Sequence, residues 1–377
     1  MKSLTFTVIN DLTYDQRMQR ICNTLSHADY NVLLIGRMLP SSLPLSNQPY
    51  RQKRLQCFFT KGKLMYFEFN VRLLFYLLFV SNDCYCAIDL DTILPNYFAS
   101  VIRRKKRVYD AHELFTEQKE IVTRPAIYKL WLKVEKFAVP KFLHGYTVND
   151  FIKEEFKKRY GVNYAVVRNL PNLNRLHPDP DKTNRFIIYQ GAVNEGRSFE
   201  TLIPAMKLVN ADLKIYGNGN FFDKATQLVK QYTLEEKVKL KGLVAPEELR
   251  KITPTAYAAV MLFEDTGLNQ YHSLANRFFD YIMAGVPQVC VAYPQYQAIN
   301  DKYEIACLIS DTNEQTIAGA LNNLLCDDVY YKRLQQNCLK ARAELNWQTE
   351  EKVLINFYTK VFSNPRKYES GGKRKTT

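Results

Sequence analysis

The sequence predicts an α/β protein made of two Rossmann-like domains that face each other across a cleft. Short β-rich apolar segments alternate with longer helical segments along nearly the whole chain, which is typical of parallel sheets covered by helices. This alternation is interrupted once, near the middle of the 377 residues, by the segment 169–181, which is rich in Pro, Asn and Asp. Such a segment cannot continue a helix and indicates a linker between two domains.

The first half of the chain contains the predicted elements of one domain, residues 1–170. Strands are predicted at 4–9, 31–35, 86–90, 107–109, 145–148 and 165–167, and helices at 15–25, 125–137 and 150–160. The most apolar segment, residues 71–80, is well short of the roughly 20 residues that span a bilayer. This segment predicts a buried helix, with a monotopic membrane contact as the alternative.

After a linker at 171–184, the alternation restarts in a second predicted domain, residues 185–346. Its strands are predicted at 185–190, 212–216, 238–240, 258–262 and 288–291, and its helices at 199–209, 222–232, 246–252, 276–284, 314–325 and 330–345. A last helix, 347–363, is predicted to pack back on the first domain. Residues 364–377 form a basic tail that we expect to be flexible.

The net charge of +14 favours an anionic partner. Part of the excess is clustered in the basic block 103–107 and in the tail. A solvated face with a flexible tail would explain it, and so would a peripheral contact with an anionic inner membrane. Eight scattered cysteines without a Cys-x-x-Cys pair indicate reduced thiols. We therefore expect a cytoplasmic protein, and leave open its association with the cytoplasmic face of a membrane.

Two glycine-containing strand ends in the second half are candidate phosphate loops. Ligands of parallel sheets bind outside the carboxyl ends of the strands. Gly191 ends the predicted strand 185–190 and allows a tight turn, after which Arg197 precedes a helix and can meet an anion. Gly217 and Gly219 follow the next predicted strand and would likewise allow a tight turn there. Ordinary turns remain the alternative for both segments.

The segment 273–287 places polar side chains at a helix start and ends the helix with Gly-x-Pro. A phosphate can bind at the helix start near Asn276, and Arg277 can neutralise its charge. Asp280 lies one turn further and can accept hydrogen bonds from two vicinal hydroxyls of a ribose. The alternative is an amphipathic core helix with a solvated Arg and Asp.

This segment resembles the donor-site motif of retaining, nucleotide-sugar-dependent glycosyltransferases of the GT-B fold. The resemblance is to family four in particular, and to its members in bacterial envelope polysaccharide synthesis. Further segments resemble the family in the correct order, and together they extend to about residue 362: 10–17, 89–96, 108–117, 189–206, 215–219 and 238–249.

The resemblance implies roles for individual residues on the donor side. Arg197, Asn276, Arg277 and Gly191 would bind the donor diphosphate. Asp280, Gly217 and Gly219 would bind the ribose and nucleoside.

In the first half, His112 aligns with the active-site histidine of the family, and it follows a predicted strand end. On the acceptor side we expect Asp11, Arg17 and Glu113.

Three positions depart from the pattern of the family. His272 stands eight residues before Asp280, where a Glu is expected; Ala192 replaces an Arg; and the opening loop lacks a Gly-Gly pair. Asn269, His272 and Glu264 are therefore the candidate contacts to the sugar.

The implied function is transfer of a sugar, with retention, from a nucleotide-diphosphate sugar to a glycan or lipid-linked acceptor. We expect no metal and no cofactor besides the donor, and we interpret Asp89-Leu-Asp91 as structural. Two alternatives stay open: a sugar-nucleotide epimerase of the same fold, and a non-catalytic basic binding protein. Because the aromatic residues lie in core-like runs and are not interleaved with basic ones, we expect no nucleic-acid partner.

Overall fold

A computed structural model describes residues 1–13, 15–173, 177–179 and 185–363. It contains two parallel sheets, which confirms the predicted pair of Rossmann-like domains. The strands of the first sheet are β1 Lys2–Thr7, β2 Tyr30–Arg37, β3 Arg51–Leu55, β4 Cys84–Ile88, β5 Lys106–Ala111, β6 His144–Thr147 and β7 Ala165–Val166. Their order in the sheet is β3-β2-β1-β4-β5-β6-β7.

Helices cover both faces of the first sheet. They are α1 Gln16–His27, α2 Gly62–Phe79, α3 Ile93–Ile102, α4 Lys119–Val122, α5 Pro125–Ala138 and α6 Asp150–Tyr160. One face of β4 directs Cys84 and Cys86 toward α1, and the other directs Tyr85 and Ala87 toward the core under α2, α3 and α5. Burial on both sides explains why these strands read as continuous apolar runs.

The second sheet repeats this arrangement. Its strands are β8 Phe186–Gln190, β9 Asp212–Tyr216, β10 Val238–Gly242, β11 Ala258–Met261, β12 Gln288–Val291 and β13 Ala306–Ile309. Their order, β10-β9-β8-β11-β12-β13, reverses direction between β8 and β11, which is the crevice where doubly wound sheets bind ligands. The helices are α7 Phe199–Ala205, α8 Phe222–Gln231, α9 Pro246–Ile252, α10 Leu268–Tyr271, α11 Asn276–Ala284, α12 Pro294–Tyr303, α13 Glu314–Cys326 and α14 Asp328–Ala341.

The last helix, α15 Trp347–Ser363, returns to the first sheet. The ring of Tyr358 lies 6.0 Å from that of Phe6, and the indole Nε1 of Trp347 donates to Thr24 Oγ1 at 2.9 Å. Glu350 also pairs with Arg168 at 2.6 Å. These contacts fix the position of the second domain at both of its chain connections.

Local chemistry sets several helix ends. Asp15 caps α1 by accepting from the Met18 N–H, and Asn149 caps α6 by accepting from that of Ile152. Gly285 takes the left-handed conformation, φ 69°, that ends α11, as the Gly-x-Pro signal predicts.

Several elements differ from the sequence prediction. The apolar segment 71–80 belongs to a longer helix, α2, and the prediction that it is buried is wrong for one side, where Phe75 and Phe79 are exposed. Strand β3 has the sequence Arg-Gln-Lys-Arg-Leu and was not predicted, because a charged strand of this kind is stable only at a sheet edge. Helices α3 and α12 and strand β13 were also not predicted.

Two predicted segments lie largely or wholly outside the described residues: the linker 171–184, of which 171–173 and 177–179 are described, and the tail 364–377. Among the described helices, none combines the length and the hydropathy needed to cross a membrane.

Candidate active site

A cleft of about 1340 Å³ lies between the two domains. Its walls are the segments that follow the carboxyl ends of β1 and β5 in the first domain and of β8 and β11 in the second. This is the position that the topology of both sheets predicts for a ligand.

His112 follows β5 and forms the centre of a buried charge cluster on the first-domain wall. Its Nε2 lies 3.1 Å from Asp110 Oδ2 and 3.0 Å from Nε of Arg17, and its Nδ1 lies 3.4 Å from Asp89 Oδ2. The backbone N–H of His112 donates to Asp89 Oδ1 at 2.8 Å. Its side chain keeps 24 % exposure, which is on the cleft side.

The carboxylates of this cluster decide the charge of His112. Burial disfavours the imidazolium, but Asp110 and Asp89 outweigh it and raise the pKa of His112 to about 9. The pKa of Asp110 is lowered: burial opposes its ionisation, and Arg17 and His112 overcome that effect. Arg17 itself donates to Asp110 at 3.0 Å and to the Val167 carbonyl at 3.1 Å. The two carboxylates thus favour the imidazolium form of His112.

Asp11 was predicted on the acceptor side, and the structure places it on the cleft rim in an internal ion pair. Arg54 of β3 donates to its Oδ1 at 2.6 Å, and the Thr13 N–H donates to the same oxygen at 2.9 Å. With 8 % exposure, the Asp11 carboxylate organises the loop after β1, and Asp11 is among the residues that line the cleft. The ion pair depends on β3, which the sequence did not predict.

Two arginines lie together on the second-domain wall. The guanidinium of Arg197 stacks over the ring of Phe263 at 3.9 Å, and that of Arg277 lies 4.9 Å from the same ring. Burial and then repulsion from Arg277 lower the pKa of Arg197 to about 10. The Nε of Arg197 is buried without a hydrogen-bond partner. Two adjacent cations with an unused donor form an environment that favours a bound anion.

Arg277 differs from its predicted placement. Its side chain is 8 % exposed and donates to Tyr189 Oη at 3.1 Å and toward Met261 Sδ at 3.1 Å. The sequence predicted that it neutralises a phosphate bound at the start of the helix. Instead it lies behind the loop of Gly191, so its charge acts through that loop while Arg197 lines the cleft.

Asp280 lines the cleft on α11, one turn beyond Asn276. Gln190 donates to its Oδ2 at 3.1 Å, and Thr253 donates to the Gln190 side-chain oxygen at 2.7 Å. Burial raises the pKa of Asp280 to about 6, although the charge of Arg20 from the first domain favours ionisation. The other carboxylate oxygen can accept from a ligand hydroxyl.

Residues 174–341 match the family model "Glycosyl transferases group 1". The match spans the second domain, which we call the group 1 domain after this similarity. No curated protein matches the chain by sequence.

Solved structures of glycosyltransferases share the fold of the whole chain. A sucrose-phosphate synthase from Thermosynechococcus elongatus is 16 % identical with a TM-score of 0.81, over 96 % of this chain and 100 % of that one. The Anabaena protein HepE, solved with UDP-glucose, is 11 % identical with a TM-score of 0.74, over 96 % and 100 %. The lipopolysaccharide outer core galactosyltransferase WaaB is 12 % identical with a TM-score of 0.68, over 96 % and 99 %.

Gly217 and Gly219 of the group 1 domain have a packing role that the sequence did not predict. A Cβ on Gly217, at φ 146°, would lie 1.8 Å from the Gly191 carbonyl oxygen, and one on Gly219 would lie 2.4 Å from that of Val193. Of the described residues, those that line the cleft include none of these glycines. They let the loops after β8 and β9 pack closely against each other.

Three of the other predicted residues connect the group 1 domain to the first domain. Asn269 Nδ2 donates to Glu113 Oε2 at 2.8 Å, and Asn276 Oδ1 accepts from Asn169 at 2.8 Å. The ring of His272 stacks on Phe151 with centroids 3.4 Å apart and planes at 7°. The structure thus uses His272 as a bridge between domains.

Glu264, the remaining candidate for a sugar contact, is turned away from the cleft. Its Oε1 accepts from the Ser198 N–H at 3.2 Å, and its own N–H donates to the Gly196 carbonyl at 3.1 Å. It is not among the described residues that line the cleft. Its carboxylate fixes the loop that presents Arg197.

The sequence missed Asp110, Gln190 and Arg20 as members of the site. Asp110 had a usable signal, because it lies two residues before His112 in the strand that ends at the cleft. Gln190 likewise ends β8. Arg20 is in the second turn of α1, and nothing local to its sequence distinguishes it from a solvated helix residue.

Proposed function

We propose that this protein transfers a sugar, with retention and without a metal, from a nucleoside-diphosphate sugar to a glycan or lipid-linked acceptor. The neighbours with the same fold include HepE, which was solved with UDP-glucose, and a lipopolysaccharide galactosyltransferase. They support a uridine nucleotide as the first donor to test and a cell-envelope glycan as the class of acceptor.

The observation that carries the proposal is the pair of cations at Arg197 and Arg277. Among the described residues no carboxylate forms an ion pair with either, and burial, followed by repulsion from Arg277, lowers the pKa of Arg197. Next to them, α11 begins at Asn276 without a side-chain cap, so its first N–H groups add positive potential. A diphosphate would neutralise all three contributions.

The donor would bind so that its diphosphate contacts Arg197 and the start of α11. Asp280 lies one turn along the same helix and would accept from the ribose hydroxyls. In the reaction, the acceptor oxygen forms a bond to the anomeric carbon while the bond from that carbon to the diphosphate breaks. The electron pair stays on the diphosphate, which also takes the acceptor proton. The two arginines stabilise the charge that develops there.

His112 would lie beside the sugar, held in place by the charge cluster of the first-domain wall. A pKa of about 9 leaves it protonated at neutral pH, so it is not suited to remove the acceptor proton. Its exposed edge faces the cleft from the wall opposite Arg197. This placement fits a contact with the sugar during transfer.

Nucleotide binding tests the proposal directly. We expect UDP to raise the melting temperature of the protein, because a ligand that binds only the folded state stabilises it. Isothermal titration of Arg197→Gln should give an affinity lower by about tenfold or more, since a charge-assisted phosphate contact contributes about 1.5–3 kcal/mol. Release of UDP from UDP-sugars in the presence of an acceptor extract measures the transfer.

Lys230→Gln is the matched control, since Lys230 is an exposed cation of the same domain outside the cleft. It should bind UDP as the wild type does. A panel of UDP, GDP, ADP and TDP without any thermal shift would contradict the proposal. Conversion of a nucleotide sugar to its epimer without an acceptor would replace transfer by epimerisation.

A further inference from the structure

Helix α2 is apolar on two opposite sides. One side, formed by Met65, Phe69, Leu73 and Leu77, is buried against the first sheet. The opposite side repeats every four residues and is exposed: Phe67 is 70 % exposed, Val71 37 %, Phe75 60 % and Phe79 84 %. A helix that is apolar all round normally has a second apolar neighbour.

The apolar surface continues from α2 onto α3 and α5. The two neighbours of α2 expose Phe98, Val101 and Ile102 on α3 and Leu130 and Phe137 on α5. Ring contacts join the three helices: Tyr66 of α2 lies 5.7 Å from Trp131 of α5, and Tyr97 of α3 lies 5.4 Å from Phe137. We call the outward side of α2, α3 and α5 the helical face.

Basic side chains surround the apolar residues of the helical face. Lys63 begins α2, Arg103 and Arg104 follow α3, and Lys129 and Lys133 alternate with Leu130 and Phe137 along the exposed side of α5.

The three helices contain only two carboxylates. Glu135 is buried and accepts from Thr116, and Glu68 is held by Arg72 and by the backbone N–H groups of Phe58 and Phe59. The face is therefore apolar at its centre and basic at its edge.

We propose that the helical face binds the surface of an anionic lipid bilayer, with the exposed phenylalanines inserted between headgroups. Aromatic and aliphatic side chains within a basic border are the composition that interfacial helices use. A second copy of this chain fits less well, because a twofold contact would oppose the same basic residues to each other.

The orientation of the helices deepens the proposed function, on which this step rests. Helix α2 connects parallel strands and therefore runs back across the sheet, so that its first residues lie at the carboxyl edge of the strands. The cleft opens at that edge. Phe67 is thus nearer to the cleft than Phe79, so a lipid-linked acceptor held in the bilayer would approach the cleft from the end of α2 that carries Phe67.

Vesicle flotation of the full chain tests the proposal. Phosphatidylcholine vesicles with about 30 % phosphatidylglycerol should bind the protein, and phosphatidylcholine alone should bind it at least tenfold less, because each cation near an anionic surface contributes roughly fivefold. High salt should reduce the binding. The triple variant Phe67→Ser, Phe75→Ser, Phe79→Ser should bind the anionic vesicles at least about tenfold more weakly than the wild type, because three large apolar side chains no longer insert.

The control variant is Leu243→Ser with Val329→Ser, which removes two residues of the second domain that are 79 % and 76 % exposed. It should float as the wild type does. Since all the replaced side chains are largely exposed, melting temperatures should be unchanged, and this measurement identifies any variant that fails to fold.

Three outcomes overturn the inference: no flotation of the wild type, equal flotation of the triple variant, or a dimer that the triple substitution dissociates while vesicles do not bind. UDP affinity, measured in parallel, separates the two proposals. A wild type that binds UDP but does not float contradicts the membrane contact alone, and a wild type that floats without binding a nucleotide contradicts the proposed function.

Discussion

The two walls of the cleft differ in whether their charged side chains form ion pairs. On the first-domain wall, Arg17, His112 and the carboxylates of Asp110 and Asp89 neutralise one another within 3.4 Å. On the second-domain wall, Arg197 and Arg277 lie around one phenyl ring and repel each other. The charged side chains of the first-domain wall are thus paired in the absence of a ligand, whereas the two arginines of the second-domain wall are not.

This difference separates positioning from binding. A paired cluster keeps its geometry whether or not a ligand is present, which suits a residue that must meet a reacting sugar at a fixed place. Cations without carboxylates gain stabilisation when an anion arrives, which suits the diphosphate site. Substitutions on the first wall should therefore change turnover, and substitutions on the second should change nucleotide affinity.

The largest effect that this comparison predicts is the loss of turnover in His112→Ala. Removing the positioned side chain that contacts the sugar during transfer should lower kcat by roughly 10²–10³-fold. The affinity for UDP should change little, because His112 is on the other wall from the two arginines. Steady-state kinetics with the best nucleotide sugar and titration with UDP measure the two quantities.

His27→Ala is the matched control for this experiment. His27 is an exposed histidine at the end of α1 and should be replaceable without a change in kcat. A His112→Ala enzyme with wild-type turnover would remove His112 from the reaction. A loss of UDP affinity as large as the loss of kcat would erase the distinction between the two walls.

How much of this could be predicted depends on how local each signal is. Strand β8 was predicted because its first four residues, Phe-Ile-Ile-Tyr, form an apolar run that ends at Gln190. In the structure all five residues of the strand are buried. Strand β3 is stable only through its pairing with β2, so its own residues gave no signal. The same limit applies to Asp11, whose partner Arg54 comes from that strand.

For the site, the sequence located residues but not their partners. His112 and Asp280 were predicted from motifs, and both line the cleft. Arg17, in contact with His112, is 95 residues away in sequence, and only the pairing of β1, β4 and β5 brings the two together. The role of His272 depends on how the two domains meet, which long-range packing of α15 decides.

A smaller effect concerns the pH dependence of donor binding on the second wall. Asp280 must be ionised to accept from the ribose, and burial raises its pKa to about 6. Affinity for a nucleotide sugar should therefore rise with pH through about 6 and level off near pH 7. Between pH 5 and 7 we expect about a tenfold change, since one pH unit below the pKa leaves about a tenth of the group ionised.

UDP-glucose is the appropriate probe, because its phosphates are both esterified and do not titrate near pH 6 as a terminal phosphate does. Asp280→Asn should bind more weakly at pH 7.5 and lose the pH dependence. The amide oxygen of Asn can still accept from Gln190, but an NH2 group replaces the second carboxylate oxygen. The melting temperature should therefore be recorded as well. The same pH dependence in Asp280→Asn would show that another group carries it.

The smallest predicted effect tests the boundary between the two walls, where His272 stacks on Phe151. Because an aromatic pair contributes about 0.5–1.5 kcal/mol, His272→Ala should change kcat/KM by roughly fivefold. Phe151→Ala should have a similar effect, and the double variant should add little, since both substitutions remove the same contact.

His272→Phe keeps an aromatic ring in the stack without imidazole nitrogens and should restore wild-type kinetics. If His272 instead binds the donor sugar, His272→Phe will fail to rescue and the two alanine variants will be additive. That result would assign His272 to donor binding on the second-domain wall, together with Arg197 and Asp280, and not to the contact between the domains.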